Sequence, residues 1–559
     1  MNELTVDYIV VGSGSAGAIV AARLSEDPKT SLLLLEAGPH SRSPVLTIPA
    51  AARHAYNARK YNWNYETEPE PHLGGRRIAQ PRGRVLGGSS CINGMVYLRG
   101  NPLDYEAWAE AGATGWSYSD VLPYFQRLEG WVNPSNEYQG RDGPVGVSTP
   151  EPANEIGLAF LEAGRQAGYP LTEDINGRQQ EGFGRFPANV ARGYRWSTER
   201  AYLRPAMARK NLIVHADSTT DRIGFEGRRA VTVSYRRGGR PATARATREI
   251  IVCAGAINSP KLLMLSGIGP AGELALHGID IVHDLPGVGE NLMDHQLAAL
   301  QVESLKPVSL YKYLGPAAQA LGVLRWFALK DGILANNHFE CGAFIRSEAG
   351  VKYPDIQFYL FPIAVECGSK DFMQLHGFQV QVGPQRTLSR GWVRLRSADP
   401  DARPRILFNA MGHERDWIEM RAAFRLAREM LAQPAMDAYR GRELEPGADV
   451  TSDDEIDDYV RANVASSYHP SGTCKMGTDK MAVVDADCRV HGMEALRVVD
   501  ASIMPQIPGC NLNSPSMMIG EKGADAIRGQ RLAPSNLDYY VDEQWQTRQR
   551  PGTPERVVG

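Results

Sequence analysis

Three glycines, Gly12, Gly14 and Gly17, form a G-x-G-x-x-G run directly after the apolar stretch Tyr8-Ile9-Val10-Val11 and directly before Ala18-Ile19-Val20-Ala21-Ala22. In that setting glycines permit a tight turn and let backbone N–H groups close on a pyrophosphate. Glu36 follows the next apolar run, Leu32 to Leu35, at the place where a carboxylate accepts hydrogen bonds from ribose hydroxyls. NADP, with its 2′-phosphate, is thereby disfavoured, while FAD and NAD stay equally open. A second kind of chemistry is marked by His469. An imidazole serves as a base without help from its surroundings. Of the twelve histidines, this one stands in Tyr468-His469-Pro470, where a helical pattern gives way to a loop and proline fixes the backbone. Further along, Asn511-Leu512-Asn513-Ser514-Pro515 offers two amides able to donate to a reacting oxygen without competing for its proton. Asn513 also reads as an Asx turn before proline, and Asn511 as a loop former or flavin neighbour. His295 and His413 read as structural, and His491 as a surface residue of a hairpin.

These groups need elements to hold them. The opening segment reads strand, glycine turn, helix, strand: one βαβ unit. Strand-like runs return at Leu212-Ile213-Val214 and Ile250-Ile251-Val252, and residues 60–120, rich in Gly, Arg and Asn, suit cofactor-wrapping loops. From about 300 to 465 the texture changes to alternating runs, Asp355 to Phe361, Phe378 to Val382 and Trp392 to Arg396, which read as half-buried antiparallel strands. Helical periodicity follows over 414–432 and 452–464, and Leu496 to Asp500 with Ser516 to Arg528 leads the chain back to the opening sheet. The expected class is α/β. A Rossmann-like dinucleotide-binding domain takes 1–155, 200–300 and 466–531, and an α+β substrate-binding domain with an antiparallel sheet takes 156–199 and 301–465. Residues 532–559 read as an irregular tail without chemistry, whose Tyr539, Tyr540 and Trp545 could pack on a surface.

At 559 residues the chain exceeds one ordinary core, and its 43% hydrophobic and 22% charged residues exclude a disordered chain or a coiled coil. Lys+Arg number 61 against 64 Asp+Glu, so the basic surface that nucleic acid requires is missing. Seven cysteines with no C-x-x-C pair make neither a disulfide framework nor a zinc site, so no metal is expected and a reducing cytoplasm is. The acidic N-terminus lacks a secretory n-region. No apolar run reaches the roughly 18 residues a spanning helix requires, but peripheral contact with the inner face of a membrane stays open. Leu310 to Leu329, long, apolar and broken by Gly and Pro, reads either as a buried helix of the second domain or as a lid or membrane-facing patch. No G-x-S-x-G elbow supports a serine hydrolase.

Gly83-Arg-Val-Leu-Gly-Gly-Ser-Ser-Cys-Ile-Asn93 and Gly255-Ala-Ile-Asn-Ser-Pro-Lys-Leu-Leu-Met-Leu-Ser-Gly-Ile-Gly269 resemble the two signatures of the glucose–methanol–choline family of flavin oxidoreductases. The similarity continues through Leu285 to His295, Ser389 to Leu395, Tyr468 to Gly477 and Val499 to Pro505, covering residues 5 to about 530. The resemblance implies FAD-dependent oxidation of a primary alcohol to an aldehyde, with hydride passing to flavin N5, His469 as base and Asn513 as its partner. It places Ser15 and Ala16 at the pyrophosphate, Glu36 at the adenosine ribose, Thr220 at adenine, and Asp500 and Ala501 at the ribityl chain, with Ala37 also in the cofactor-binding set. Val85, Gly88, Asn93, Gly94, Met95 and Val96 fall beneath the flavin, and Trp63, Ala254 and Tyr468 join the cofactor-binding set. Some members attach flavin through a histidine at the position of Ile92, which has no nucleophile, so FAD is expected to bind non-covalently.

Within the family the texture is most similar to bacterial choline dehydrogenases, in Tyr61 to Pro71, Asn337 to Glu340, Phe344 to Ser347, His376 to Gln379, Tyr439 to Glu443 and Cys474 to Gly477. A quaternary ammonium asks for aromatic faces and a carboxylate, and the substrate-binding candidates are Glu340 and Phe361, with Trp63 and Tyr468 as further aromatic neighbours. The sequence departs from the choline pattern at Cys341 and around Val365-Glu366-Cys367. Choline is the leading substrate, another small aliphatic or aromatic alcohol the alternative, and an NAD-dependent dehydrogenase a remote one. The electron acceptor is a quinone or oxygen, and the oligomeric state is not legible.

Overall fold

The computed structural model describes residues 4–152, 154–366 and 371–556. Its first sheet has seven strands, ordered Leu212–His215, Leu32–Leu35, Leu4–Val11, Arg240–Val252, Arg229–Arg237 and Ser218–Glu226, with Leu496–Val498 also paired to Arg240–Val252. The long strand Arg240–Val252 pairs in parallel with Leu4–Val11 along one edge, and its other edge is shared between two partners. Its first half pairs antiparallel with Arg229–Arg237, and its last three residues pair in parallel with Leu496–Val498, so the last strand of the chain lies in the sheet of the first. Ile9, Val10, Leu32 to Leu34 and Ile250 to Val252 are fully buried. Unbroken apolar runs are what parallel strands covered on both faces require, each such side chain gaining about 1.5–3 kcal/mol. Helix Gly17–Leu24 packs against helix Asn513–Arg528.

The second sheet has eight strands, ordered Arg440–Glu445, Gln296–Ser304, Gly377–Pro384, Ile356–Phe361, Cys341–Ile345, Gly182–Arg185 and Leu171–Thr172, with Ala465–Ser466 paired to Gln296–Ser304. Apart from the parallel pairing of Leu171–Thr172 with Gly182–Arg185, its pairings are antiparallel. The α/β class with an antiparallel second sheet is as expected. Three details differ. Gln296–Ser304 lies wholly in the second sheet, so the crossing falls before 296 rather than at 300. Trp392–Arg394 joins Arg405–Leu407 in a separate ribbon. Ile356–Phe361 and Gly377–Pro384 are buried on both faces rather than one. Helix Glu414–Leu431 covers the side of Phe358 and Leu360, while Tyr359 packs with Val96, Phe186 and Phe344 on the other. The period of two thus sends Tyr359 and Phe361 toward the site.

Helix Pro316–Leu329 is not a buried element. Only Gly322 and Trp326 are covered, while Leu321, Val323, Leu324, Phe327 and Leu329 are exposed. Apolar composition suggests burial, but of its large apolar side chains only Trp326 is buried, its Nε1 donating to Gly193 O at 2.7 Å. No helix among the described residues is long and apolar enough to cross a membrane. The tail is irregular yet anchored. Buried Arg346 donates to Glu181, to Arg548 O and to Asp542 of the tail, Tyr539 meets Tyr118 edge-on, Tyr540 N donates to Arg178 O and Trp545 O accepts from Gly350 N.

Candidate active site

The glycine turn forms one wall of a cavity of about 500 Å³, within the range of small-molecule and cofactor sites. A Cβ on Gly17 would stand 2.0 Å from Gly12 O, and one on Gly88, whose φ is +54°, would stand 2.6 Å from Gly14 Cα. A side chain at Gly88 would push the signature loop 83–93 off the dinucleotide turn, and one at Gly17 would force the turn itself apart, so glycine is required by contact at both and by conformation at Gly88. Gly12, Gly14, Ser15, Ala16, Glu36, Ala37, Trp63, Gly88, Thr220, Ala254, Asp500 and Ala501 line this cavity. Glu36 is buried, accepts from Ser13 N and Oγ on one oxygen and Gly38 N on the other, and is pushed above the ordinary carboxylate range by burial. Asp500 accepts from Gly255 N, Ser259 Oγ and Ser502 N, which ties the last strand to the helix after Arg240–Val252.

The remaining expected positions stand behind the wall. Val85 turns its side chain into an apolar cluster with Leu46 and Ile92, and Met95 into one with Ala188 and Val190. Asn93 Oδ1 is occupied by Arg195 Nη1 at 2.8 Å and Met95 N at 3.1 Å, Gly94 O accepts from Asn337, and Val96 packs near Tyr359. Thr220 Oγ1 and Asn513 Nδ2 are buried with no partner in the protein. Burying such groups costs about 1–3 kcal/mol each unless a ligand satisfies them, so the glycine walls, the Glu36 carboxylate and the unspent Thr220 hydroxyl of the lining together fit a dinucleotide.

Beyond that cavity lies a hydrogen-bonded cluster assembled from distant segments. Met293 and Ser471 exchange backbone hydrogen bonds, and Ser467 N donates to His295 O, which sets His295 opposite His469. His469 N donates to Asp294 Oδ1 at 2.8 Å, and Arg82 Nη2 donates to Tyr468 O at 2.6 Å, holding Tyr468 at a φ of +65°. His469 Nδ1 lies 3.0 Å from His295 Nδ1, and His469 Nε2 lies 3.2 Å from Asn511 Nδ2. Asn511 Oδ1 accepts from Tyr359 OH at 3.0 Å. Burial, then His295 and Arg82, hold His469 well below the usual imidazole value, so it is neutral and able to take a proton at pH 7.

This arrangement corrects one assignment and adds others. Asn513 does not face His469; its Oδ1 accepts from Ser15 Oγ at 2.8 Å, at the pyrophosphate turn. The amide at the histidine is Asn511. His295, which the sequence reads as structural, touches His469, and Tyr359 and Gln385, which no motif marks, complete the chain of contacts. Near the substrate candidates, Phe361 stacks on Phe339 with centroids 4.8 Å apart, and Phe339 meets Tyr359 at 6.0 Å. Glu340 is buried and accepts from Asn336 at 2.6 Å. Trp63 instead lines the cofactor cavity, stacked on Tyr65. Tyr468 approaches Tyr56 at 6.2 Å. Cys367 lies outside the described residues.

The cavity, whose lining includes Pro470, adjoins the His469–Asn511 pair, an arrangement that suits an oxidoreductase. The family models described as GMC oxidoreductase match residues 6–297 and 387–520, and the chain belongs to the GMC oxidoreductase family. It is 49% identical over 550 residues to an oxygen-dependent choline dehydrogenase of Brucella ovis, covering 98% of this chain and 100% of that one. Among solved structures it is similar to pyridoxine 4-oxidase from Mesorbium loti, with TM-score 0.86, 32% identity, and coverage of 94% of this chain and 100% of that chain. It is also similar to a formate oxidase of Aspergillus oryzae RIB40 studied for FAD modification, with TM-score 0.88, 26% identity and coverage of 95% and 99%. The protein is an FAD-dependent alcohol oxidoreductase.

Proposed function

We propose that the protein oxidises choline to the aldehyde, with His469 as base and Asn511 as the donor to the substrate oxygen. The observation that carries the mechanism is the convergence of Asn511 Nδ2 and His469 Nε2 at 3.2 Å. A hydroxyl at that point receives a hydrogen bond from the amide and gives its proton to the imidazole. Bound FAD supplies the two-electron acceptor for the hydride. Tyr359 fixes the amide oxygen, so the NH₂ end is the one presented. Choline is supported by the Brucella relative, and by the buried carboxylate of Glu340 next in sequence to Phe339, whose ring stacks on Phe361, since a carboxylate and aromatic faces suit a quaternary ammonium.

Anaerobic addition of choline to the purified yellow protein is expected to bleach the flavin. Bleaching by another small primary alcohol, with choline inert, would move the substrate and leave the reaction class. Admitting oxygen to one half of the reduced sample and a soluble quinone to the other then assigns the acceptor by which half recovers its colour.

We also infer that FAD is held without a covalent bond, since Ile92 sits in an apolar cluster and carries no nucleophile. Acid or heat denaturation is expected to leave a colourless pellet and a yellow supernatant. A pellet that stays yellow after washing contradicts this.

A further inference from the structure

His295 Nε2 lies 2.9 Å from the backbone oxygen of Gln385, and its Nδ1 lies 3.0 Å from His469 Nδ1. A carbonyl has no proton to give, so the Nε2 end of His295 must be the donor. Burial takes His295 down to about 4, so it carries a single ring proton at neutral pH, and that proton is the one on Nε2. Its Nδ1 is then a bare lone pair. The proton shared by the two facing Nδ1 atoms belongs to His469, and His469 Nε2 is left bare toward Asn511. At the other end the order is the same: Tyr359 OH donates to Asn511 Oδ1, which turns Asn511 Nδ2 toward His469 Nε2.

We propose that His295, oriented by the Gln385 carbonyl, is a positioning residue that holds His469 in the Nδ1–H tautomer and so aims the Nε2 lone pair at the substrate hydroxyl. The proposal rests on the reading of His469 as the base and deepens it. An isolated neutral imidazole exchanges its proton between its two nitrogens, and only one form presents a base at Nε2. The consequences of a wrong tautomer are large where a histidine base is oriented by a second group, as in the serine protease triad. The charged and titratable groups around His469 are otherwise Arg82, Asp294 and the Tyr468 phenol. Asp294 accepts from the backbone N–H of His469 and from Ser466 and Gln80, which leaves the imidazole Nδ1 to His295.

Two substitutions separate an acceptor at the right place from mere filling of space. In His295→Asn the side-chain oxygen can stand where Nδ1 stood and accept from His469. In His295→Gln the amide reaches the Nε2 position and leaves a methylene opposite His469. The tautomer is read on the FAD-loaded enzyme labelled with ¹⁵N-histidine, by long-range ¹H–¹⁵N correlation, with His469 assigned by the signals that vanish in His469→Gln. Wild type and His295→Asn are expected to show a protonated Nδ1 and bare Nε2. His295→Gln is expected to lose that pattern, with flavin reduction slowed about 10- to 100-fold at an unchanged alcohol dissociation constant. Should His295→Gln fail to retain flavin, His295→Leu serves as the chain without an acceptor. A protonated Nε2 in wild type, a wild-type rate and tautomer in the chain lacking the acceptor, or equal slowing of Asn and Gln variants overturns the proposal. His469→Gln at full rate would instead remove the base reading, whatever the tautomer, so the two failures are distinct.

Discussion

His469→Gln is expected to slow flavin reduction by the alcohol about 10²-fold or more and to leave the visible spectrum of bound FAD in place. The loss corresponds to about 2.7 kcal/mol or more of transition-state stabilisation, and it arises because a glutamine can fill the volume and accept a hydrogen bond but cannot carry away a proton. FAD survives because the side chain stands beside the cofactor cavity rather than in its wall, while the backbone around it is fixed by Asp294 and by the exchange between Met293 and Ser471. The pH dependence has a defined sign. His469 is held well below the ordinary imidazole value, by burial first and then by His295 and Arg82. The wild-type rate therefore stays level through neutral pH and falls only on the acid side of the ordinary value, as the imidazole gains its proton and ceases to be a base. Rapid mixing of oxidised enzyme with alcohol under argon measures both effects. A rate in His469→Gln equal to wild type takes the imidazole out of the reaction.

The parts of this site that were legible in the sequence are those built from short contiguous segments. Gly12, Gly14, Gly17 and Glu36 belong to one βαβ unit, and the pattern of a strand, a turn and a helix is written in neighbouring residues. His469 was visible because Pro470 breaks a helical pattern beside it. What escaped depends on register between distant strands. Tyr359 faces the site because its strand alternates, but which face of Ile356–Phe361 is covered by helix Glu414–Leu431 is decided by packing. His295 and Gln385 follow from pairings of Met293 with Ser471 and of Gln296–Ser304 with Gly377–Pro384, which periodicity does not show. Of the two readings of Leu310 to Leu329, the exposed helix Pro316–Leu329 excludes the buried one, because apolar residues state a preference for leaving water without naming what covers them.

The choice between Asn511 and Asn513 depended on a loop conformation that is set from elsewhere. Asp104, in a helix far away in sequence, accepts from Gly509 N at 2.8 Å; Gln180 donates to Gly509 O, and Trp108 Nε1 donates to Gln506 O. These contacts fix the path through 506–511, and the helix then begins at Asn513, which turns that residue toward Ser15. Two substitutions are therefore expected to separate cleanly. Asn511→Ala slows flavin reduction about 10²-fold with FAD occupancy retained, because it removes the donor next to His469 Nε2 and leaves the cofactor cavity untouched. Combined with His469→Gln it adds less than its own full effect, as befits groups 3.2 Å apart acting on one oxygen. Asn513→Ala weakens FAD retention, measured as flavin lost on gel filtration, and once saturated with FAD it reduces at a rate within a few fold of wild type. Its Oδ1 accepts from Ser15 Oγ at the glycine turn that lines the cofactor cavity. The opposite outcome, with Asn513→Ala slow and fully flavinated and Asn511→Ala fast, returns the catalytic amide to position 513.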